Sequence, residues 1–145
     1  MFAHILVPTD TSPESGNALQ IAGKMQSLEK SASGQFSKIS LLHVVEVIAH
    51  EEGDEFAPFY NKLIKKAEAK MDELIRNQKT KELVIEKQVI VGNRVREILN
   101  FAETNKVDLI LLKSHRMDQN DLTRGWGTIS HKIGILSPCP VMLVR

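Results

Sequence analysis

Pro8-Thr9-Asp10-Thr11-Ser12 places a carboxylate and three hydroxyls directly after a short apolar run. Two readings fit these residue types. They turn the chain and cap the next helix, or Asp10 accepts hydrogen bonds from a ribose or holds a cation. The spacing leaves both open. A second stretch, Lys113 to Thr128, is longer than the ~2 to 6 residues that commonly join a strand to a helix, and such length points to function. It starts beyond Leu112 with Lys113-Ser114-His115-Arg116 and ends in Gly125-Trp126-Gly127-Thr128-Ile129-Ser130. Small residues and hydroxyls there coincide with a helix start, where free amides and the helix dipole favour an anion. A capped helix with glycines serving the turn fits the same residues. The full GxGxxG and GxxxxGK[ST] phosphate motifs are absent.

Other reactive residue types form no constellation. His4 and His43 fall in strand-like runs and His131 in a helical one, and no HExxH or paired Cys/His spacing occurs. No metal site is therefore expected. His115 alone stands near the presumed anion site. There is no GxSxG elbow, and the lone Cys139, between Pro138 and Pro140, reads as an inert thiol.

The elements that must position these residues follow from apolar periodicity. Ala3 to Val7 is a short apolar run interrupted only by His4, as in a strand buried on both faces. Ser12-Pro13-Glu14 supplies an N-cap, a proline for the first helical position and an acid for the dipole. Ala18, Ile21, Ala22, Met25 and Leu28 continue at helical spacing. A polar Ser31 to Ser37 stretch with Gly34 then precedes a second strand, Ile39 to Val47. Glu46 to Glu55 holds five acids and reads as a mobile loop. Tyr60, Leu63, Ile64, Ala67, Met71, Leu74 and Ile75 stripe a long helix. Leu83 to Val91 is a third strand, and Gly92-Asn93 opens a helix striped by Val95, Ile98, Leu99 and Ala102. Leu109 to Leu112, a helix from about Gly127 to Leu136, and Val141 to Val144 complete the pattern.

Strands and helices thus alternate, which argues for an α/β fold: an open, mainly parallel sheet with helices on both faces. Ligands bind such sheets beyond the carboxyl ends of the strands, where strand order reverses. The 145 residues, 42% hydrophobic and 26% charged, suit one domain spanning 1–145 that needs neither metal nor disulfide to hold a core. One cysteine and no signal-like or membrane-length apolar stretch suit the cytoplasm and give no reason to expect a membrane partner. A formal charge of +1, from 19 Lys+Arg against 18 Asp+Glu, removes the argument for a nucleic-acid partner. That sum hides a local imbalance. Residues 113–132 carry Lys113, Arg116, Arg124 and Lys132 against Asp118 and Asp121.

Several of these residues together match a known pattern. Ile5-Leu6-Val7-Pro8-Thr9-Asp10-x-Ser12, Leu41-Leu42-His43-Val44, Val91-Gly92, Val107-Asp108-Leu109-Ile110, Ser114-His115, and Gly127-Thr128 through Pro138-Cys139-Pro140-Val141 resemble, in order and over essentially the whole chain, the universal stress protein family. The resemblance implies a Rossmann-like, adenine nucleotide alpha hydrolase-like five-stranded sheet of order 3-2-1-4-5. It also implies a stress-response regulator, dimeric through the last strand, and in many members an ATP or AMP site between the first and fourth strands, with magnesium as a companion of the phosphates. Carried over residue by residue, Asp10 stands at the ribose side with Pro8, Thr9 and Ser12 beside it, and Val44 where backbone meets adenine. Gly127, Thr128 and Ile129 match the phosphate-holding helix start, and Ser130 the hydroxyl after it.

One stretch departs from the family pattern. Where nucleotide-binding members show Gly-x-x-Gly, a spacer and Gly-Ser/Thr, this chain has Lys113-Ser114-His115-Arg116 and a spacer one residue longer. Glycine admits a phosphate close to the backbone, whereas lysine and arginine fill that space. Lys113 and Arg116 therefore block the pocket, or supply charge-assisted bonds to phosphate with Arg124, or pair with Asp118 and Asp121. Three functions follow: a dimeric nucleotide-binding stress regulator, a nucleotide-free dimeric interaction module, and, weakest, slow ATP hydrolysis with His115 as acid or base. No Walker lysine, arginine finger or dedicated base supports the last. The homodimer has a reason of its own, because an apolar Val141 to Val144 strand at the chain's end makes a sheet edge that invites pairing.

Overall fold

The architecture was obtained as a computed structural model, which describes residues 1–47, 56–80, 82–114 and 129–145. The five-acid loop expected at Glu46 to Glu55 lies, beyond Val47, outside the described residues, as do His115, Arg116, Gly127 and Thr128.

Five strands, β1 (His4–Pro8), β2 (Lys38–Glu46), β3 (Ile85–Gly92), β4 (Leu109–Lys113) and β5 (Val141–Val144), form one sheet of order β3-β2-β1-β4-β5. Every neighbouring pair is parallel. Helices α1 (Gly16–Ser33), α2 (Ala57–Arg76), α3 (Arg94–Thr104) and α4 (Ile129–Leu136) connect them. The apolar runs of β1 and β4 are explained by this placement. As central strands they are covered on both faces, so successive side chains pointing to opposite sides must all be apolar. Ile5 and Val7 enter one core with Leu19 and Ala22 of α1 and Met71 and Leu74 of α2, while Leu6 enters the other with Ile98 and Phe101 of α3 and Ile133 of α4.

Local chemistry sets the helix ends with two departures from expectation. Pro13–Ser15 forms a 3-10 turn before α1, and Ser12 occupies its N-cap position without a side-chain capping bond. The Ser12 hydroxyl instead donates to Asp10 Oδ1 at 2.6 Å. Leu28, expected on the buried stripe of α1, is 70% exposed, because α1 buries Ala18, Leu19, Ala22, Gly23 and Gln26 on a narrower face. Gln26 earns its burial by hydrogen bonds, donating to the Val84 carbonyl and accepting from the Val84 amide, each at 3.0 Å. Gly34 ends the helix at φ +72°, a conformation that favours glycine. Asn93, as expected, opens α3: its side chain accepts from the Arg96 amide at 3.0 Å.

Candidate functional site

Strand order reverses between β1 and β4, so the crevice lies where Pro8 and Lys113 end those strands. Past Pro8 the chain stays paired for one residue, Thr9 N donating to the Leu42 carbonyl at 2.8 Å. It then turns sharply. Thr11 has φ +64°, an unusual conformation for a β-branched residue, and three bonds hold it there. Its amide donates to Thr9 Oγ1 at 3.0 Å, Thr9 Oγ1 donates to Ser15 Oγ at 2.8 Å, and Ser15 Oγ donates to the Ser12 carbonyl at 2.6 Å. From β2, His43 Nδ1 lies 2.8 Å from the Thr9 carbonyl, an acceptor, so that nitrogen carries the proton. The capping hydroxyls are thus spent on the loop, which presents Asp10.

Asp10 is held by Ser12, whose amide and hydroxyl both donate to Oδ1, at 2.9 and 2.6 Å. From the end of β4 comes Lys113, with its side chain only 15% exposed. The Lys113 ammonium donates to Ser12 Oγ at 3.1 Å and Glu14 Oε2 at 3.3 Å, and lies 3.8 Å from Asp10 Oδ2. Partial burial alone would raise the Asp10 pKa, but the Ser12 bonds and the Lys113 charge outweigh it and hold the carboxyl below its ordinary value. The Glu14 carboxyl is lowered as well, chiefly by its hydrogen bond from Lys113.

Behind this polar rim lies a cavity of about 280 Å³. Pro8, Thr9 and Asp10 form its β1 side, Leu112 and Lys113 its β4 side, and Leu42 and Val44 its β2 side; Arg94 and Ile98 of α3 and Ile129 and Ser130 of α4 close it. Apolar walls interspersed with a few polar groups suit a partly apolar ligand carrying polar substituents. The cavity therefore brings together Pro8, Thr9, Asp10, Val44, Leu112, Lys113, Ile129 and Ser130, all singled out from sequence. Ser12 stands outside it, at the rim. Ser114 does not line it, and its amide extends the pairing with β5, donating to the Val144 carbonyl at 2.7 Å. A larger cleft of about 650 Å³ lies on the other side of the Asp10 loop, between the start of α1 and the end of α2, and has no wall from β4 or α4.

Leu42, Arg94 and Ile98 were missed in the sequence, as was the role of Glu14 in holding Lys113. Arg94 and Ile98 had a signal. The Val91-Gly92 turn ends a strand on the ligand side, and the first turn of the helix after it presents residues four apart to one face. Arg94 also lies 3.7 Å from Glu46. Two residues set aside as structural have clear partners. His4 is buried with Nδ1 3.0 Å from the Asn105 carbonyl and Nε2 2.7 Å from Ser40 Oγ. Cys139, just before β5, is tied through its backbone to Ser137, whose Oγ donates to the Cys139 carbonyl at 2.7 Å, and its Sγ makes only a 3.6 Å contact with that hydroxyl. Among the described residues no group of three or more His, Cys, Asp or Glu is placed to hold a metal ion.

With the site in view, the comparisons with known proteins are specific. A family profile described as the universal stress protein family matches residues 1–145. Universal stress protein YxiE of Bacillus subtilis (strain 168) is 30% identical over 155 residues, covering 100% of each chain. Among solved structures, a universal stress protein in complex with cAMP is 21% identical, with a TM-score of 0.63, covering 99% of this chain and 97% of that one. A universal stress protein family protein from Arabidopsis thaliana with AMP bound is 19% identical, with a TM-score of 0.55, covering 98% and 90%. At these identities the structural likeness establishes a shared Rossmann-like fold.

Proposed function

This chain belongs to the universal stress protein family, and from that premise we propose that it is an adenine-nucleotide-binding, homodimeric stress-response regulator of the cytoplasm, built as one domain over residues 1–145. The observation that carries the nucleotide reading is the cavity between the ends of β1 and β4, with Asp10 at its rim and apolar walls from Leu42, Val44, Ile98 and Leu112. The apolar part suits a purine. Ser12 leaves Asp10 Oδ2 unused, and that oxygen is the acceptor for ribose hydroxyls in this reading. Ile129 and Ser130 begin the helix that the family uses for phosphate. Two structural neighbours, one with cAMP and one with AMP, agree with a small adenine nucleotide as the ligand class, ATP included.

Calorimetric titration with AMP, cAMP and ATP, alongside thermal unfolding, tests this. A ligand that binds only the native state stabilises it by ~2.7 kcal/mol at a hundredfold excess over its Kd. Absence of both heat and a melting shift at millimolar nucleotide would remove the reading. A second reading, a nucleotide-free interaction module, is favoured by one observation: Lys113 is already engaged by Ser12 and Glu14. In that case restoring glycine at both positions, Lys113→Gly with Arg116→Gly, would create nucleotide binding absent from the parent. Hydrolysis forms no part of the proposal.

A further inference from the structure

A phosphate brought to the rim of this cavity meets a problem of like charge. Asp10 and Glu14 already stand there, both held in the ionised form by their hydrogen bonds. Like charges repel at close range, more strongly at the partly buried Asp10 than at Glu14, whose side chain is 70% exposed, and a cation between them and the incoming oxygens offsets that repulsion. A divalent ion held by one or two carboxylates, waters and the phosphate itself would serve, but the place between the carboxylates is already taken by an ammonium, 3.3 Å from Glu14 Oε2 and 3.8 Å from Asp10 Oδ2.

Lys113 has the required position. Lysines are seldom buried without a partner, and this one lies 15% exposed at the mouth of the cavity with its ammonium against both carboxylates. Its own side chain lines the cavity wall. Resting on the nucleotide reading of this cavity, we propose that Lys113 is the site's built-in counter-ion: it binds the phosphate nearest the ribose directly, so a nucleoside monophosphate binds without a divalent cation. The ammonium has three donors. Its tie to Ser12 Oγ holds it in place, while its tie to the exposed Glu14 is the weaker and is given up to a phosphate oxygen, since an exposed ion pair contributes little. Asp10 keeps Oδ2 for the sugar. Among the described residues the cavity's other cation, Arg94, lies 3.7 Å from Glu46, so a neutral residue at position 113 would take away the ammonium that stands against Asp10 and Glu14.

The experiment is a calorimetric titration of the full chain with AMP and with adenosine, each in magnesium and in EDTA, for the parent, Lys113→Gln and Lys113→Arg. The parent should bind AMP equally well in magnesium and in EDTA, an arm that depends on no variant. Lys113→Gln should weaken AMP by about tenfold or more, the size of one charge-assisted hydrogen bond, and leave adenosine within about twofold. Lys113→Arg should retain most of the AMP affinity. A parent that binds AMP only with magnesium overturns the proposal, as does a Lys113→Gln variant that binds AMP like the parent or weakens AMP and adenosine alike. If the parent binds adenosine and AMP with equal affinity, the nucleotide reading survives and the counter-ion falls. If it binds neither in either buffer, both fall together.

Discussion

Asp10 illustrates how far a single residue can be read from sequence. Its place after an apolar strand marked it as capping group or ligand acceptor, and spacing alone could not choose. The structure shows why: Ser12, the residue expected to cap the helix, spends its hydroxyl on Asp10. Lys113 was legible as a charge in the right loop, whereas its direction was not, because a lysine side chain reaches several ångströms from its backbone and Glu14 lies 99 positions away in sequence. A pH prediction belongs here. A carboxyl with a lower pKa in the folded chain than in the unfolded one favours folding wherever it is ionised. Its contribution is whole above the unfolded value of about 3.9 and is lost as pH falls through the lower folded value. The difference in urea-unfolding free energy between the parent and Asp10→Asn should therefore stay flat from about pH 7 to 5 and shrink below about pH 4. A difference that grows on acidification would reverse the sign argued for Lys113 and Ser12. His4 offers a test away from the site. Ser40→Ala removes the partner of its buried Nε2 and should cost about 1–3 kcal/mol by urea unfolding, the penalty for a buried polar group left unpaired.

Elements were more legible than their faces. Each strand and helix expected from periodicity is present, because burial on both sides of a parallel sheet leaves continuous apolar runs, and amphipathic helices leave stripes. The failures came where packing geometry overrides the stripe. Leu28 keeps helical spacing with Ala18 and Met25, yet α1 rotates its Gln26 face inward to bond the Val84 backbone, and Leu28 is left outside. Arg94 and Ile98 were assigned to an ordinary amphipathic helix, whereas the first turn of α3 closes the cavity. That turn depends on Asn93. Asn93→Ala should cost about 0.5–2 kcal/mol in urea unfolding, the usual worth of an N-cap, and Asn93→Asp should recover most of it. Equal losses for alanine and aspartate would show that the side-chain cap is not what secures the helix start.

At the scale of the molecule, alternation of strands and helices implied a parallel sheet without fixing which strand neighbours which, since a right-handed crossover can step to either side of the strand it leaves. The order came from family resemblance, and the structure bears it out. That order leaves β3 and β5 as the two edges, and their chemistry differs. β3 leaves Glu86, Lys87 and Gln88 exposed and pairs Lys87 with Asp72 and Glu86 with Lys38. Charges of this kind discourage strand addition. β5 has no such protection. Leu143 is 53% exposed, and Met142 and, from neighbouring α4, Ile135 and Leu136 are exposed with it. An apolar edge strand beside an apolar helix end is a surface that a second copy can cover by the same patch, as a two-fold axis requires. The proposed homodimer therefore uses β5 and not β3. Sedimentation of the parent at micromolar concentration should give twice the chain mass of 16.3 kDa, and Leu143→Lys should give the single mass, because an ammonium buried at the centre of a two-fold interface would meet its own copy. Glu86→Lys on the opposite edge should leave the dimer intact. A parent that sediments as a monomer, or a dimer that Glu86→Lys breaks and Leu143→Lys does not, would assign the apolar edge another role.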